Sequence, residues 1–521
     1  MTVESGKEIS VDMNISRRFF IGGATAFGAF GGNRFLEAFG GVAPARKPNL
    51  KFGVVSDIHI TCVGADQKME SWGNNLTFRH TLEWFRDQGV DAVMVVGDMA
   101  DNGMVEQLQA VAQAWYAVFP DDKAPDGRKV EKLFVYGNHD YHGYLYSDHA
   151  AKRHVKEAPG TEFGAWSRDH VLRSDIGGWW KKIFNEDYSR LYCKTIKGYT
   201  FLGQHWDDGK GMETKYGNCP FGVELKSYLD ANGKSLDPKK PFFYFQHPHP
   251  KNTCYGPWAW GRDSGLVTQT LSSYANAIAF SGHSHYTLTD ERSLWQGAFT
   301  SVGTSSLRYT GMPYNQRLPF GYENTTTEGK VTAEADAKKV MAKFNGGDCR
   351  QGMVWNIYDD CIVVQRREFL NNVFLGPDWV MPLTTAEAKP FDFTSRAKKA
   401  RAPEFPQRAK VVLRKLKAKT RRTTGHDSVE KDAYELKFPA ALAVTGARPY
   451  EYEVVAHGAE GRTESFHIIA EGFNHALSHR KATADMVCRV ALDRLPAGTT
   501  HFTVVPMDCW WNKGAALKVE C

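Results

Sequence analysis

From Leu50 onward, short apolar runs alternate with stretches in which apolar residues recur every three or four positions. Lys51-Phe52-Gly53-Val54-Val55-Ser56 reads as a buried strand, Phe78, Leu82 and Phe85 fall at helical spacing, and Ala92-Val93-Met94-Val95-Val96 returns to a strand. Val105, Leu108, Val111, Trp115 and Val118 mark a second helix before the strand Leu133-Phe134-Val135-Tyr136. This alternation predicts an α/β layered core, continued by the strands Phe242-Phe243-Tyr244-Phe245 and Ala277-Ile278-Ala279-Phe280. Two inserts interrupt it: about 141–188, rich in Tyr, Trp and His without a clear period, and a polar segment at about 319–352. Insertions of this kind are usually surface excursions, and they often shape a binding site.

Beyond Pro390 the pattern changes to short, turn-separated apolar runs: Lys410 to Leu416, Ala433 to Phe438, Tyr450 to Ala456, Phe466 to Ala470, Met486 to Leu492, His501 to Val505 and Ala516 to Val519. Seven such runs predict an all-β sandwich. Phe502-Thr503-Val504-Val505-Pro506 and the turn Asn512-Lys513-Gly514 resemble the last hairpin of a fibronectin type III-like module. The expected organisation is a leader at 1–45, an α/β domain at 48–392, a linker at 393–402 and the sandwich at 403–521.

With 521 residues, 42% hydrophobic and 13% aromatic, the chain can bury a large core, which excludes a disordered, collagen-like or small disulfide-framework protein. The formal charge of +6 is unevenly spread: from Arg396 to Arg422 there are twelve Lys/Arg and one acid, Glu404, a local +11 that leaves the remainder at −5. Nine cysteines without any C-x-x-C pair argue against a zinc ribbon or thioredoxin-like site, and the odd number leaves at least one outside any internal disulfide.

In the leader, Ser16-Arg17-Arg18-Phe19-Phe20 precedes a Gly/Ala-rich apolar run from Ile21 to Gly32. Paired arginines before a weakly hydrophobic segment resemble a bacterial twin-arginine export signal, with Ala43-Pro44-Ala45 offering a cleavage site. The run is shorter than the roughly 20 residues a spanning helix needs, so no stable membrane span is expected. The expectation is a periplasmic or extracellular protein that meets the export translocon through its signal.

Five short motifs close the predicted strands: Asp57-Ile58-His59, Gly97-Asp98-Met99-Ala100-Asp101-Asn102-Gly103, Gly137-Asn138-His139-Asp140, His247 in Gln246-His247-Pro248-His249-Pro250, and Gly282-His283-Ser284-His285. Asp, Asn and His are ligands that borderline divalent metals favour, and strand C-termini gather them at one edge of an α/β sheet. In this order they resemble the calcineurin-like metallophosphoesterase family, over about residues 50 to 385. That resemblance implies an α/β fold of four layers, a β-sandwich flanked by helices.

It also implies a dinuclear centre. One metal would be held by Asp57, His59, Asp98 and His285, the other by Asp98, Asn138, His247 and His283, with Asp98 bridging. Two cations about 3.5–4 Å apart clamp both a nucleophilic hydroxide and the phosphoryl oxygens. His139 is the implied leaving-group acid, and Asp140 beside it would fix its tautomer or, alternatively, serve as a turn-capping carboxylate. Asp101 is expected to orient a ligand or cap the next helix. His249 is the alternative to His247, as a phosphate contact. Trp206 and the segment Tyr255 to Trp260 are candidate substrate walls or ordinary packing, and His142, His149, His154 and His170 are expected to face solvent.

Purple acid phosphatases share the fold but place a tyrosine three residues after the bridging Asp and lack the first-motif His; here those positions are Asp101 and His59, so a tyrosinate–iron centre is not expected. Two divalent or mixed-valence ions are expected, Zn, Mn, Fe or Co. The leading reading is an exported phosphoesterase acting on phosphate mono- or diesters by hydroxide attack. The alternatives are a non-catalytic surface-binding protein and a nuclease of the same fold; the basic stretch lies away from the motifs and carries no interleaved stacking aromatics, so no nucleic-acid partner is expected.

Overall fold

The computed structural model describes residues 46–61, 73–206, 221–255, 263–308, 310, 322–324, 349–370, 372–383, 389, 391–421, 428–444, 448–470 and 485–521. The expected signal at 1–45, most of the 319–352 insert, Cys62, Cys219 and Trp260 lie outside these residues.

The chain begins with β1 (Leu50–Val55), α1 (Gly73–Asp87), β2 (Ala92–Val96), α2 (Val105–Val118) and β3 (Glu131–Val135). All five residues of β2 are buried, as expected of a continuous apolar run covered on both faces. The expected aperiodic insert contains short helices: α3 (Asn138–His142), α4 (His149–Glu157), α5 (Phe163–His170) and α6 (Ile176–Phe184). Then follow β4 (Leu191–Ile196), β5 (Tyr199–Gln204), α7 (Val223–Asn232), β6 (Phe242–Phe245), α8 (Leu266–Leu271), β7 (Ala277–Ser281), β8 (Leu294–Gln296) and β9 (Thr300–Gly303). The α/β part closes with β10 (Gln351–Ile357), β11 (Cys361–Glu368), β12 (Val373–Phe374) and β13 (Trp379–Pro382).

These strands form two sheets. One runs β12-β11-β10-β1-β2-β3 with β13 beside β11, and the other β4-β5-β6-β7-β9-β8. Strands β1, β2 and β3 are parallel, as are β5, β6, β7 and β9, so two sets of strand C-termini open on the same side of the molecule. The sheets pack face to face through apolar side chains. Phe52 meets Phe201, Phe243 and Phe280 edge-on at ring-centroid distances of 5.4, 5.0 and 6.0 Å, and Trp355 stacks on it at 6.1 Å. The helices cover the outer face of the first sheet with Phe78, Leu82, Leu108, Val111 and Trp115, all fully buried. Helices, sheet, sheet and helices make the four expected layers.

Residues 393–402, expected as a linker, hold helix α9 (Phe393–Lys399), whose Arg396 is buried and bonds the Glu291 carboxylate and carbonyl and the Leu294 carbonyl. The C-terminal strands are β14 (Val412–Arg421), β15 (Ser428–Pro439), β16 (Glu451–His457), β17 (Thr463–Ile469), β18 (Asp485–Ala491), β19 (His501–Met507) and β20 (Leu517–Glu520). They form sheets in the orders β14-β15-β18 and β17-β16-β19-β20 around a core of Leu436, Tyr452, Val454, Phe466, Val490 and Val504. The register answers part of the basic run: Arg414, Lys417 and Lys419 lie opposite Glu435, Asp432 and Glu430. Cys193, Cys254, Cys361, Cys488, Cys509 and Cys521 are free thiols.

Candidate metal centre

The turns that leave β1, β2 and β7 put five expected ligands in left-handed backbone: Asp57 at φ 52°, His59 at 49°, Asp98 at 51°, His283 at 68° and His285 at 55°. Non-glycine residues pay of order 1–3 kcal/mol for such strain, which persists where surrounding structure dictates it and clusters at functional sites. Two glycines make the approach possible. Gly97 sits at φ 86°, and a Cβ on it would lie 2.4 Å from His247 Nδ1; one on Gly137 would lie 2.2 Å from an Asp98 oxygen.

Asp57, His59, Asp98 and His285 bring one ligand atom each within 4.8 Å of one another, and Asp98, His247 and His283 do the same. Asp98 belongs to both groups. In the first, His285 Nε2 is 2.9 Å from Asp57 Oδ1 and 3.1 Å from His59 Nε2, which is 3.6 Å from Asp98 Oδ2. In the second, His247 Nε2 lies 3.0 Å from Asp98 Oδ2 without the alignment of a hydrogen bond, and the His247 and His283 ring centroids are 5.0 Å apart. Asn138 is tied to this group through its neighbour: the His139 N–H donates to Asp98 Oδ1 at 2.8 Å.

Neighbouring groups set the direction of each ligand. His247 Nδ1 donates to the Val96 carbonyl at 2.7 Å, which leaves Nε2 as the nitrogen facing Asp98, where a metal would take the place of its proton. His59 Nδ1 meets Asp101 Oδ1 at 3.0 Å, so Asp101 orients the His59 ring. Asn138 Nδ2 donates to the Tyr146 hydroxyl at 3.1 Å, which turns Oδ1 the other way. Asn138 Oδ1 and His247 Nε2 are buried without a hydrogen-bond partner. Buried polar atoms are rarely left so, and an ion they would share is one of the standard explanations. The residues therefore fit a pair of metal ions: strained backbone, two carboxylates, oriented imidazoles and buried polar atoms without a hydrogen-bond partner converge there.

The electrostatics agree. Burial works against ionisation of Asp57, yet His285 and His247 hold its carboxyl well below the usual range, and Asp98 is lowered against burial by His247 and His139. Burial also opposes charge on His59, but hydrogen bonds to Asp101 and Asp57 raise it to about 10; His247 is raised to about 9 against burial by Asp98 and Asp57. A pocket that holds protons this firmly has the negative potential a cation would relieve.

Three expectations are corrected. Asp140 does not contact the His139 ring: its carboxylate accepts backbone N–H groups from Ala100 at 2.6 Å, Gly137 at 2.8 Å and Met99 at 3.2 Å, clamping the β2 and β3 turns together. Burial and the Asp98 charge push it up to about 7 in spite of those bonds. The His139 tautomer is set by the Asp101 carbonyl, which accepts from Nδ1 at 2.7 Å. His249 is no phosphate contact, because it is buried between Ser281 Oγ at 2.6 Å and Ser284 Oγ at 2.7 Å, and burial drives it down to about 3. His154 does not face solvent; it is buried and bonded to Thr161 Oγ1 at 3.0 Å. Trp206 is buried behind His247 and His283, with ring centroids 6.1 and 5.9 Å away, so it backs the ligands.

Two site residues escape a sequence reading. Arg308 pairs with Asp101, and its loop is wired to the first strand by Ser306 Oγ on the Asp57 carbonyl at 2.9 Å and Leu307 N–H on the Ser56 carbonyl at 3.1 Å. Tyr146 packs on His139 with ring centroids 4.7 Å apart.

Residues 50–286 match the family model described as Calcineurin-like phosphoesterase. This stretch is similar to the calcineurin-like phosphoesterases. No curated protein matches the chain. Among solved structures, a dimetal phosphatase from Danio rerio is 12% identical over 65% of this chain and 100% of its own, with a TM-score of 0.37. A purple acid phosphatase from yellow lupin is 12% identical over 65% of this chain and 55% of its own, at 0.34. GAP50, the anchor in the inner membrane complex of Plasmodium, is 12% identical over 67% of this chain and 93% of its own, at 0.32.

Proposed function

We propose that the protein is an exported metal-dependent hydrolase of phosphate mono- or diesters. The observation that carries this reading is the pair of Asp/His groups sharing Asp98, buried except for the half-buried His283, inside a calcineurin-like domain. Asp57, His59, Asp98 and His285 would hold one ion, and Asp98, Asn138, His247 and His283 the other. Such ions activate water at neutral pH and neutralise phosphoryl charge.

The chain's own groups do the rest. Asp57 and Asp98 supply the negative charge that lets two cations sit close together. His139, with Nδ1 committed to the Asp101 carbonyl and its side chain 28% exposed, presents Nε2 outward, where it protonates the departing oxygen. Burial lowers the His139 pKa, with the Asp98 charge opposing, which makes the imidazolium a stronger proton donor. Trp206 closes the back of the His247 and His283 pair against water.

Export rests on the Arg17-Arg18 leader, with the periplasm or the exterior as destination. Among the described residues no helix is long and apolar enough to cross a membrane. The strand orders of the C-terminal sheets support a fibronectin type III-like module at about 403–521.

Metal analysis with aryl phosphate mono- and diester assays tests the reading. Asp98→Ala should lose metal and hydrolysis together, whereas His139→Gln should keep its metal and lose about 10²- to 10⁴-fold in kcat. Full activity in Asp98→Ala would overturn it.

A further inference from the structure

The insert between β3 and β4 delivers one exposed aromatic ring to the proposed acid. Tyr146 is 37% exposed and lies edge-to-face on His139, interplanar angle 66°. Its hydroxyl accepts from Asn138 Nδ2, which pins the ring at the far end. The backbone pins it at the near end: Ser147 and Asp148 follow with φ of 55° and 52°, and the Ser147 carbonyl accepts from Lys152 Nζ at 2.7 Å. Two consecutive left-handed residues that are not glycine hold a sharp turn directly after the ring.

The setting makes the ring conspicuous. The groups around His139 on its other sides are polar: His59, Asp98 and Asp101. Among the described residues, Trp206 and Tyr255, which also pack on histidines of this region, are each 1% exposed and offer no surface to a ligand. Tyr146 and His139 both reach solvent, so a group leaving towards His139 has an aromatic surface beside it.

We infer that Tyr146 is a specificity-determining wall for the leaving group, and that the site takes phosphoesters whose alcohol carries a planar apolar group next to the ester oxygen, in preference to esters of small polyols. The inference rests on the reading of His139 as leaving-group acid. An aromatic ring stacked or set edge-on against Tyr146 gains about two- to tenfold over a ligand without one. The Tyr146 hydroxyl serves a different purpose, holding the Asn138 amide, so ring and hydroxyl separate by mutation.

The test uses the metal-loaded full chain with two readouts. The first is the ratio of kcat/KM for phenyl phosphate to that for glycerol phosphate, taken within one preparation so that metal loss cancels. The second is calorimetric binding of phenylphosphonate against methylphosphonate, which needs no turnover. Tyr146→Phe is expected to keep the wild-type ratio and binding difference, and Tyr146→Ala to lower both about two- to tenfold; Tyr146→Gln gives the same reading if the alanine variant does not fold. Unchanged values in Tyr146→Ala, or equal losses in Tyr146→Phe, overturn the inference. If neither ester is hydrolysed, the reading of His139 fails and the phosphonate difference decides the wall by itself: loss of that difference in Tyr146→Ala supports it, and no difference in the wild type overturns it.

Discussion

At the scale of single residues, the centre is a set of proton-binding sites that a cation would replace. His59 and His247, raised to about 10 and about 9, are protonated at pH 7 when no metal competes, and a metal must displace those protons. The sign of the linkage follows. Both histidines titrate near 6.5 in the unfolded chain, so their contribution to metal-free stability is complete below about pH 6.5 and is lost as pH rises through 9 to 10. Asp57 and Asp98, lowered in the fold, contribute above about pH 4 and lose that contribution as pH falls. His205 and His249, pushed down to about 3 by burial, have finished titrating before the upper window opens. The metal-free protein should therefore show a falling Tm between pH 6.5 and 10, and metal uptake at pH 7 should release about two protons per chain. Calorimetry in two buffers of different ionisation enthalpy measures the release; uptake without protons would contradict the charge state assigned to the cluster.

Among the elements, legibility follows burial. Strand β2 spans Ala92–Val96, the apolar run itself, because both faces of a central parallel strand are covered and no polar residue is tolerated. The Asp and His residues that converge at the candidate centre are legible because each motif closes a strand. The insert was not: α3 to α6 are helices of five to nine residues, too short and too exposed to print a 3.6-residue period. Tyr146 sits in that stretch, and its position depends on a backbone turn at Ser147 and Asp148 that has no glycine to announce it. Of the two readings of Asp140, the turn cap rather than the tautomer partner is the one the structure bears out, for a related reason. Adjacency to His139 suggests contact, but the first turn of a short helix points the carboxylate back at the β2 turn, where the Met99 and Ala100 N–H groups meet it together with the Gly137 N–H of its own turn. Arg308 carries no motif at all, and only the hydrogen bonds of Ser306 and Leu307 to the first strand explain why it reaches Asp101.

Across the whole molecule, the loop that carries His283 and His285 continues to Asp290, Glu291 and Arg292, where the C-terminal part is docked. Glu291 accepts from Arg366 on β11, from Arg396 on α9 and from the Trp379 indole, while Arg292 pairs with Asp290 and lies over Tyr450 and Trp511. Further contacts join Tyr322 to Glu451 and Glu323 to Arg494. The C-terminal sheets therefore brace the loop that supplies two proposed ligands. Burial opposes ionisation of Glu291, but the Arg366 and Arg396 charges keep its carboxyl lowered, so removing it strands two buried guanidinium groups. Breaking a buried ion pair from one side costs about 3–5 kcal/mol. In scanning calorimetry the wild-type chain should unfold in one transition, and Glu291→Ala should lower the Tm, split the transition and weaken metal retention together. Two separated transitions in the wild type, or full metal content in Glu291→Ala at unchanged Tm, would show that the C-terminal part is carried by the α/β domain without bracing it.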